Sequence, residues 1–227
     1  MFLRIVKLAA AAALLVGCGE SVSRDSPSRI LVVGDSMLAT NRISDRAVAD
    51  TIEQTLREPV VDRSTIGARF HYALPISGSA GLNITKQYVP GDWDWIVVNG
   101  GGNDLWFGCG CVVCEPKLDR LISKDGTRGT IPGFLSKLRQ TGAKVVFVGY
   151  LRSPGRGSPI EYCRDEGDEL ERRIAKLSDL DRGLYFLSLK DLVPDGDGSY
   201  HGLDMIHPSV KGSTAIGQLL ANVIEGP

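Results

Sequence analysis

Three side chains near opposite ends of the chain are of the types that acyl transfer needs. Ser36 stands in Gly34-Asp35-Ser36-Met37, directly after the apolar run Ile30–Val33, and Asp204 and His207 stand in Asp204-Met205-Ile206-His207-Pro208. A serine hydroxyl is a weak nucleophile at its own pKa and needs a base to take its proton. A histidine base in turn needs a carboxylate to hold its tautomer. Taken singly, Ser36 also fits a helix cap after a strand, and Asp204 and His207 fit a polar loop before a helix. Competing catalytic signatures are missing: there is no Gly-x-Ser-x-Gly elbow, no Gly-Lys-Ser/Thr phosphate loop and no His-Glu-x-x-His.

These residues must be positioned by the elements between them. Five short apolar runs, Ile30–Val33, Val60–Val61, Trp95–Val98, Val145–Val148 and Leu184–Leu187, read as strands covered on both faces. Val48, Ile52 and Leu56 recur at a helical period, as do Leu170, Ile174 and Leu177. Ile216, Leu219, Leu220, Val223 and Ile224 form one stripe of a last helix. This alternation predicts an α/β domain with a parallel sheet, helices on both sides and right-handed crossovers. Ligands of such sheets bind outside the carboxyl ends of the strands. Gly34–Ser36, Ser64–Gly67, Gly100–Asp104 and the Asp204/His207 loop each follow a strand, so all four are expected on one edge. The Gly/Pro-rich loops Ser153–Pro159 and Pro194–Ser199 are expected near the same edge.

At 227 residues, 43% hydrophobic and 23% charged, the chain fits one globular domain. A net charge of -1 with no Lys/Arg run gives no field to gather nucleic acid. Arg4 and Lys7 precede the apolar stretch Leu8–Val16, too short to span a bilayer, and residues 1–17 read as an export signal. Leu15-Val16-Gly17-Cys18 resembles a bacterial lipobox. That resemblance implies that Cys18 becomes an acylated mature N-terminus holding the protein to the cell envelope, with Gly19 compatible with outer-membrane sorting. Residues 18–29, polar and serine-rich, read as a tether, and the folded domain is expected over 30–227.

On these segments the chain resembles the GDSL, or SGNH, hydrolase family, from Ile30 to the end of the final helix. The four family blocks correspond to Gly34-Asp35-Ser36-Met37, Ser64-Thr65-Ile66-Gly67, Gly100-Gly101-Gly102-Asn103-Asp104 and Asp204-x-x-His207 followed by Pro208. Methionine replaces the usual leucine in the first. The resemblance implies a three-layer α/β/α sandwich around a five-stranded parallel sheet of flavodoxin-like type. It implies Ser36 as nucleophile, His207 as general base and Asp204 as its carboxylate. The backbone N–H groups of Ser36 and Gly67 and the side-chain amide of Asn103 would form the oxyanion hole. Gly78 and Gly81 compete with Gly67, though Gly67 lies nearer the second strand. Pro208 is expected to stiffen His207 and to begin the last helix.

Export makes disulfides the expected fate of Cys109, Cys111, Cys114 and Cys163, although a zinc site completed by Cys163 or His201 uses the same residues. Four cysteines allow three pairings. The first three follow the third strand and Cys163 follows the fourth, and these strands should be neighbours. Cys163 is therefore expected to pair with one member of the cluster and the other two with each other. Trp106 and Phe107, just after Asn103-Asp104-Leu105, are candidates to wall an acyl or leaving-group pocket. Trp93 and Trp95 read as core, His71 and His201 as structural, and Asp35 and Asp104 as ties within their turns. The favoured function is an ester hydrolase acting on a small-molecule, lipid or glycan acyl ester, with no cofactor and no metal. Two alternatives share the fold: an acyl- or acetyltransferase on envelope glycans or lipids, and a non-catalytic binding module.

Overall fold

The computed structural model describes residues 27–72, 81–153 and 157–226, so Cys18 and the rest of the expected signal lie outside the described residues. The five apolar runs form β1 (Ile30–Val33), β2 (Val60–Asp62), β3 (Trp95–Val98), β4 (Lys144–Val148) and β5 (Leu184–Leu187). They make one parallel sheet in the order β2-β1-β3-β4-β5. The chain leaves β1 to one side for β2 and returns on the other for β3. The crevice between the carboxyl ends of β1 and β3 is therefore a topological switch point, where open α/β sheets bind ligands.

β1, β3 and β4 from Val145 on are apolar and buried because both faces are covered, while the edge strands β2 and β5 are only partly buried. Leu31, Val33, Ile96, Val98, Val145 and Phe147 join one buried cluster, and their alternate neighbours Ile30, Val32, Val97, Val146 and Val148 join the other. The first cluster packs under α3 (Gly102–Cys109), α4 (Glu115–Leu121), α5 (Thr130–Arg139) and α6 (Arg164–Ser178). The second packs under α1 (Ser36–Ala39), α2 (Val48–Leu56) and α7 (Val210–Glu225). The three-layer expectation is met. Helix α7 lies close against α2 at Gly217, where a Cβ would sit 2.5 Å from Thr51 Cβ. Among the described residues no helix is long and apolar enough to cross a membrane.

Three helices, α3 to α5, fill the connection from β3 to β4, where the apolar pattern predicts none by name. Helix α5 does carry a stripe, Ile131, Phe134, Leu135 and Leu138, all buried. Helix α4 is held by charge as well. Arg173 of α6 is fully buried and donates to Glu169 at 2.6 Å, to Asp119 of α4 at 2.7 Å and to the Ile122 carbonyl at 2.8 Å. A guanidinium taken out of water is tolerated there because carboxylates and a carbonyl meet its donors.

All four cysteines of the domain are paired, Cys109 with Cys114 and Cys111 with Cys163. This agrees with the expectation that Cys163 takes one member of the cluster, and it leaves no thiolate for zinc. The first bridge closes the α3–α4 turn. The second ties that turn to the start of α6 across a sequence separation of 52, against 5 for the first. Loop-closure entropy in the unfolded chain assigns about 4 kcal/mol to the long bridge and about 2 kcal/mol to the short one. Guanidinium unfolding of the Cys111→Ser/Cys163→Ser and Cys109→Ser/Cys114→Ser variants should show the larger loss for the former.

Candidate active site

Ser36 is the first residue of α1, three positions past the end of β1. Asp35 caps this helix: its Oδ1 accepts from the Met37 N–H at 2.9 Å, which fixes the turn that aims Ser36 into the cleft. The loop leading in is gripped by Gln87, whose Oε1 accepts from the Gly34 N–H at 2.6 Å and whose Nε2 donates to the Gly34 carbonyl at 2.9 Å. The Ser36 side chain has no hydrogen-bond partner among the described residues, and its backbone N–H, at the first helical position, has no intrahelical one.

The histidine arrives on a loop that folds on itself. Asp204 Oδ2 lies 2.6 Å from His207 Nδ1, and Oδ1 accepts from the backbone N–H groups of Ile206 and His207, both at 3.0 Å. The Gly202 N–H donates to the His207 carbonyl at 2.8 Å, and His201 pairs with Pro208 in a short antiparallel bridge. From the nucleophile's side, Asn41 reaches across with Nδ2 to the Pro208 carbonyl at 3.1 Å and to Ser213 Oγ at 2.9 Å. Asn41 thus binds the segment after α1 to the segment after His207. The helix starts later than expected, because the Ser209 hydroxyl accepts from the Gly212 N–H and is the better cap. Pro208 lies before α7 and not at its first position.

Asn103, the second residue of α3, donates from Nδ2 to the Ala68 carbonyl at 3.1 Å. This puts its amide beside Gly67, which sits at φ +78° in the turn after β2. The same turn is hung from Asp104, whose two oxygens accept from the N–H groups of Phe70 at 2.9 Å and His71 at 2.8 Å. Of the competing glycines, Gly78 lies outside the described residues, and the Gly81 carbonyl is taken by Gln87 Nε2 at 2.7 Å. Helix α3 can begin here because Gly101 takes φ +104°, where a Cβ would also strike Leu170 at 2.8 Å.

Ser36, Asn103 and His207 line one cavity of about 120 Å³. Its other walls are mostly apolar, with Leu105, Trp106, Leu151, Ile160 and Ile206, together with Cys163 of the long disulfide. Asp204 stands behind His207, and Gly67 lies outside the lining. Phe107 lies outside it too, contrary to the pocket role expected for it. One residue further round α3 than Trp106, it points outward, is 60% exposed and stacks on Trp106 with ring centroids 4.8 Å apart. Ser153 reaches the cavity, whereas none of Pro194–Ser199 does. His71 bonds Thr130 Oγ1 at 2.7 Å, a structural contact. Sequence reasoning missed Tyr150, Arg152, Glu161 and Arg164 in the lining, since none belongs to a spaced motif.

Residues 32–215 match the model of the GDSL-like lipase/acylhydrolase family. No match to a curated protein was found. Among solved structures, a lipase/acylhydrolase from Enterococcus faecalis superposes with a TM-score of 0.61 at 19% identity, covering 87% of this chain and 95% of that one. A lipase from a goat rumen metagenome gives 0.55 at 18%, covering 84% and 94%. A carbohydrate esterase family 2 enzyme with a carbohydrate-binding domain, from Corynascus thermopiles, gives 0.57 at 16%, covering 88% and 66%. At such identities the likeness is one of fold.

Charge at the site is set by burial. Asp35 and Asp104 are each 1% exposed, and burial pushes both carboxyls up, Asp104 to about 6 despite the N–H groups of His71 and Phe70. At Asp35 the Tyr150 hydroxyl, the Met37 N–H and the charge of His207 oppose the rise. Partial burial also pushes Asp204 up, but the bonds from His207 and from the backbone of Ile206 and His207 outweigh it and hold this carboxyl below its usual range. Asp204 therefore stays an acceptor for His207 Nδ1–H. For Asp104 the sign is opposite: between about pH 4 and about pH 6 the folded chain keeps a proton that the unfolded chain releases, so its contribution to stability falls as pH rises through that window. Asp35 and Glu171, also raised, add the same sign. Burial lowers the His71 and His201 imidazoles, which acts in the opposite sense, so the readout is a difference: in guanidinium unfolding from about pH 4 to about pH 7, the stability of Asp104→Asn relative to the unaltered chain should rise with pH.

Proposed function

The chain belongs to the GDSL-like lipase/acylhydrolase family, and on that premise we propose that it is a serine esterase cleaving short-chain acyl esters. The observation that carries the reading is the pairing of Asp204 with His207 Nδ1 at 2.6 Å, with His207 and Ser36 facing one cavity. A carboxylate on Nδ1 keeps the proton there and leaves Nε2 as the acceptor, the tautomer a general base requires.

In this mechanism the Ser36 hydroxyl passes its proton to His207 Nε2 and its oxygen adds to the ester carbonyl. Asp204 stabilises the imidazolium so formed. The oxyanion is met by the N–H groups of Ser36 and Gly67 and by the Asn103 amide. Asn103 uses one N–H on the Ala68 carbonyl and has a second to offer, so the bond at 3.1 Å orients the group without consuming it. The intermediate collapses as His207 protonates the leaving alkoxide, and water activated by the same imidazole releases the acid. Ser36 and His207 share no hydrogen bond, a contact that commonly tightens only with substrate bound.

The cavity volume argues for a small acyl group. The space beside Ser36 is about 120 Å³, walled by Leu105, Trp106, Leu151 and Ile206, which supports a short acyl group. We place the enzyme in the cell envelope, exported and acylated at Cys18. The Leu15–Cys18 motif supports this, as do two disulfides of a kind that persists outside reducing compartments.

Full-length protein should hydrolyse p-nitrophenyl acetate or butyrate with kcat/KM at least about tenfold above the laurate ester, and Ser36→Ala should lose about four orders of magnitude or more in rate. Equal activity of Ser36→Ala and the unaltered chain would remove the mechanism. A preference for laurate would remove the size assignment alone.

A further inference from the structure

Tyr150, two residues past β4, has a hydroxyl placed between the two turns that carry Ser36 and Asn103. It donates to Asp35 Oδ2 at 2.6 Å and accepts from the Gly102 N–H at 2.8 Å. Asp35 is the cap residue of the helix that opens with Ser36, and Gly102 is the first residue of the helix whose second residue is Asn103. A single oxygen atom is thus one residue from the nucleophile on one side and one residue from the amide on the other. The approach depends on Gly102: a Cβ there would lie 2.7 Å from Tyr150 Cζ.

The tyrosine is itself anchored. Its N–H donates to Glu171 Oε1 of α6 at 2.8 Å, and Glu171, 5% exposed, receives Arg152 Nη2 on its other oxygen at 2.9 Å. The hydroxyl is therefore referred to β4 and α6, not to either turn it holds. Oxyanion donors act only when they converge at about 2.7–3.1 Å on the developing charge, and small displacements of such groups are costly in rate. Ser36 hangs from β1 and Asn103 from β3, and strand pairing ends before either residue. Something must fix the gap between them beyond the ladder.

We propose that Tyr150 is a positioning residue of the oxyanion site, its hydroxyl setting the separation of the Ser36 turn from the Asn103 amide. This rests on the esterase reading above. It assigns Tyr150 no contact with substrate at the reacting carbonyl and no proton to transfer.

The test is a double-mutant cycle on the full-length chain with p-nitrophenyl acetate. Asn103→Ala should lower kcat by about 10²-fold, as loss of an oxyanion donor does. Tyr150→Phe keeps the ring and should lower kcat by about 10- to 100-fold, with KM changed by less than about threefold. The double variant should fall little below Asn103→Ala alone, because the hydroxyl acts through the amide. A tyrosine serving stability alone would lower the melting temperature while its effect on kcat multiplied with that of Asn103→Ala. Multiplying losses, or an unchanged kcat in Tyr150→Phe, would overturn the proposal. Should Tyr150→Phe fail to fold, Gly102→Ala, which crowds the same hydroxyl contact, is expected to give the same kcat loss and the same dependence on Asn103. Ser36→Ala run alongside separates the two readings. If it stays active the esterase mechanism is at fault; if it is dead while Tyr150→Phe is unimpaired, only the role of Tyr150 fails.

Discussion

The site depends first on the parallel register of β1 against β3, Ile30 opposite Trp95 through Val33 opposite Val98. These are central strands, and both end at the same level, so the chain that leaves β1 and the chain that leaves β3 enter one crevice together. Ser36 follows three residues after Val33 and Asn103 five after Val98. A slip of one residue in either strand would turn its apolar set to the other face, against helices shaped for different side chains. The two packed layers therefore lock the level at which the nucleophile's turn and the amide's turn emerge. Apolar burial, not any polar contact, makes the first alignment of the site.

Where the ladder ends, a different problem begins. The segments after β1, β3 and β4 are largely buried, and past a last backbone bond such as Asn99 N–H to the Val33 carbonyl the regular ladder stops, leaving N–H and C=O groups that are costly to leave unmet. Side chains take over. Gln87 serves both backbone groups of Gly34, Asn99 donates to the Val148 carbonyl at 2.9 Å, and Asp104 collects Phe70 and His71. Each bond joins segments that end or follow different strands. The polar layer at this edge continues the sheet by other means, and the raised carboxyls of Asp35 and Asp104 are what burying it costs in electrostatic terms.

Much of this is legible in the sequence, for identifiable reasons. The three inner strands stand out because burial on both faces demands unbroken apolar runs, and β2 and β5 follow from the alternation of short apolar runs with helical stripes. Ser36, Asn103, Asp204 and His207 stand out because they sit in short blocks with glycine, aspartate or proline beside them. The pattern of disulfides follows once β3 and β4 are taken as neighbours. The rest has no local signature. Tyr150, Gln87 and Asn99 are single polar residues whose partners lie far along the chain. Helices α3 and α4 are short, and α4 is held by the buried charge of Arg173 as much as by an apolar stripe. Phe107 could be separated from Trp106 only once both were known to lie on a helix, where one step in sequence is a large step in direction. The start of α7 at Val210 turned on a cap, Ser209, that outcompetes the proline beside it.

The direction of β1 has a further consequence for the whole molecule. All five strands run the same way, so the chain enters the sheet at Ile30 on the edge opposite the cavity. Arg29, paired there with Glu58 at 2.6 Å, holds the incoming chain on the side turned away from Ser36 and His207.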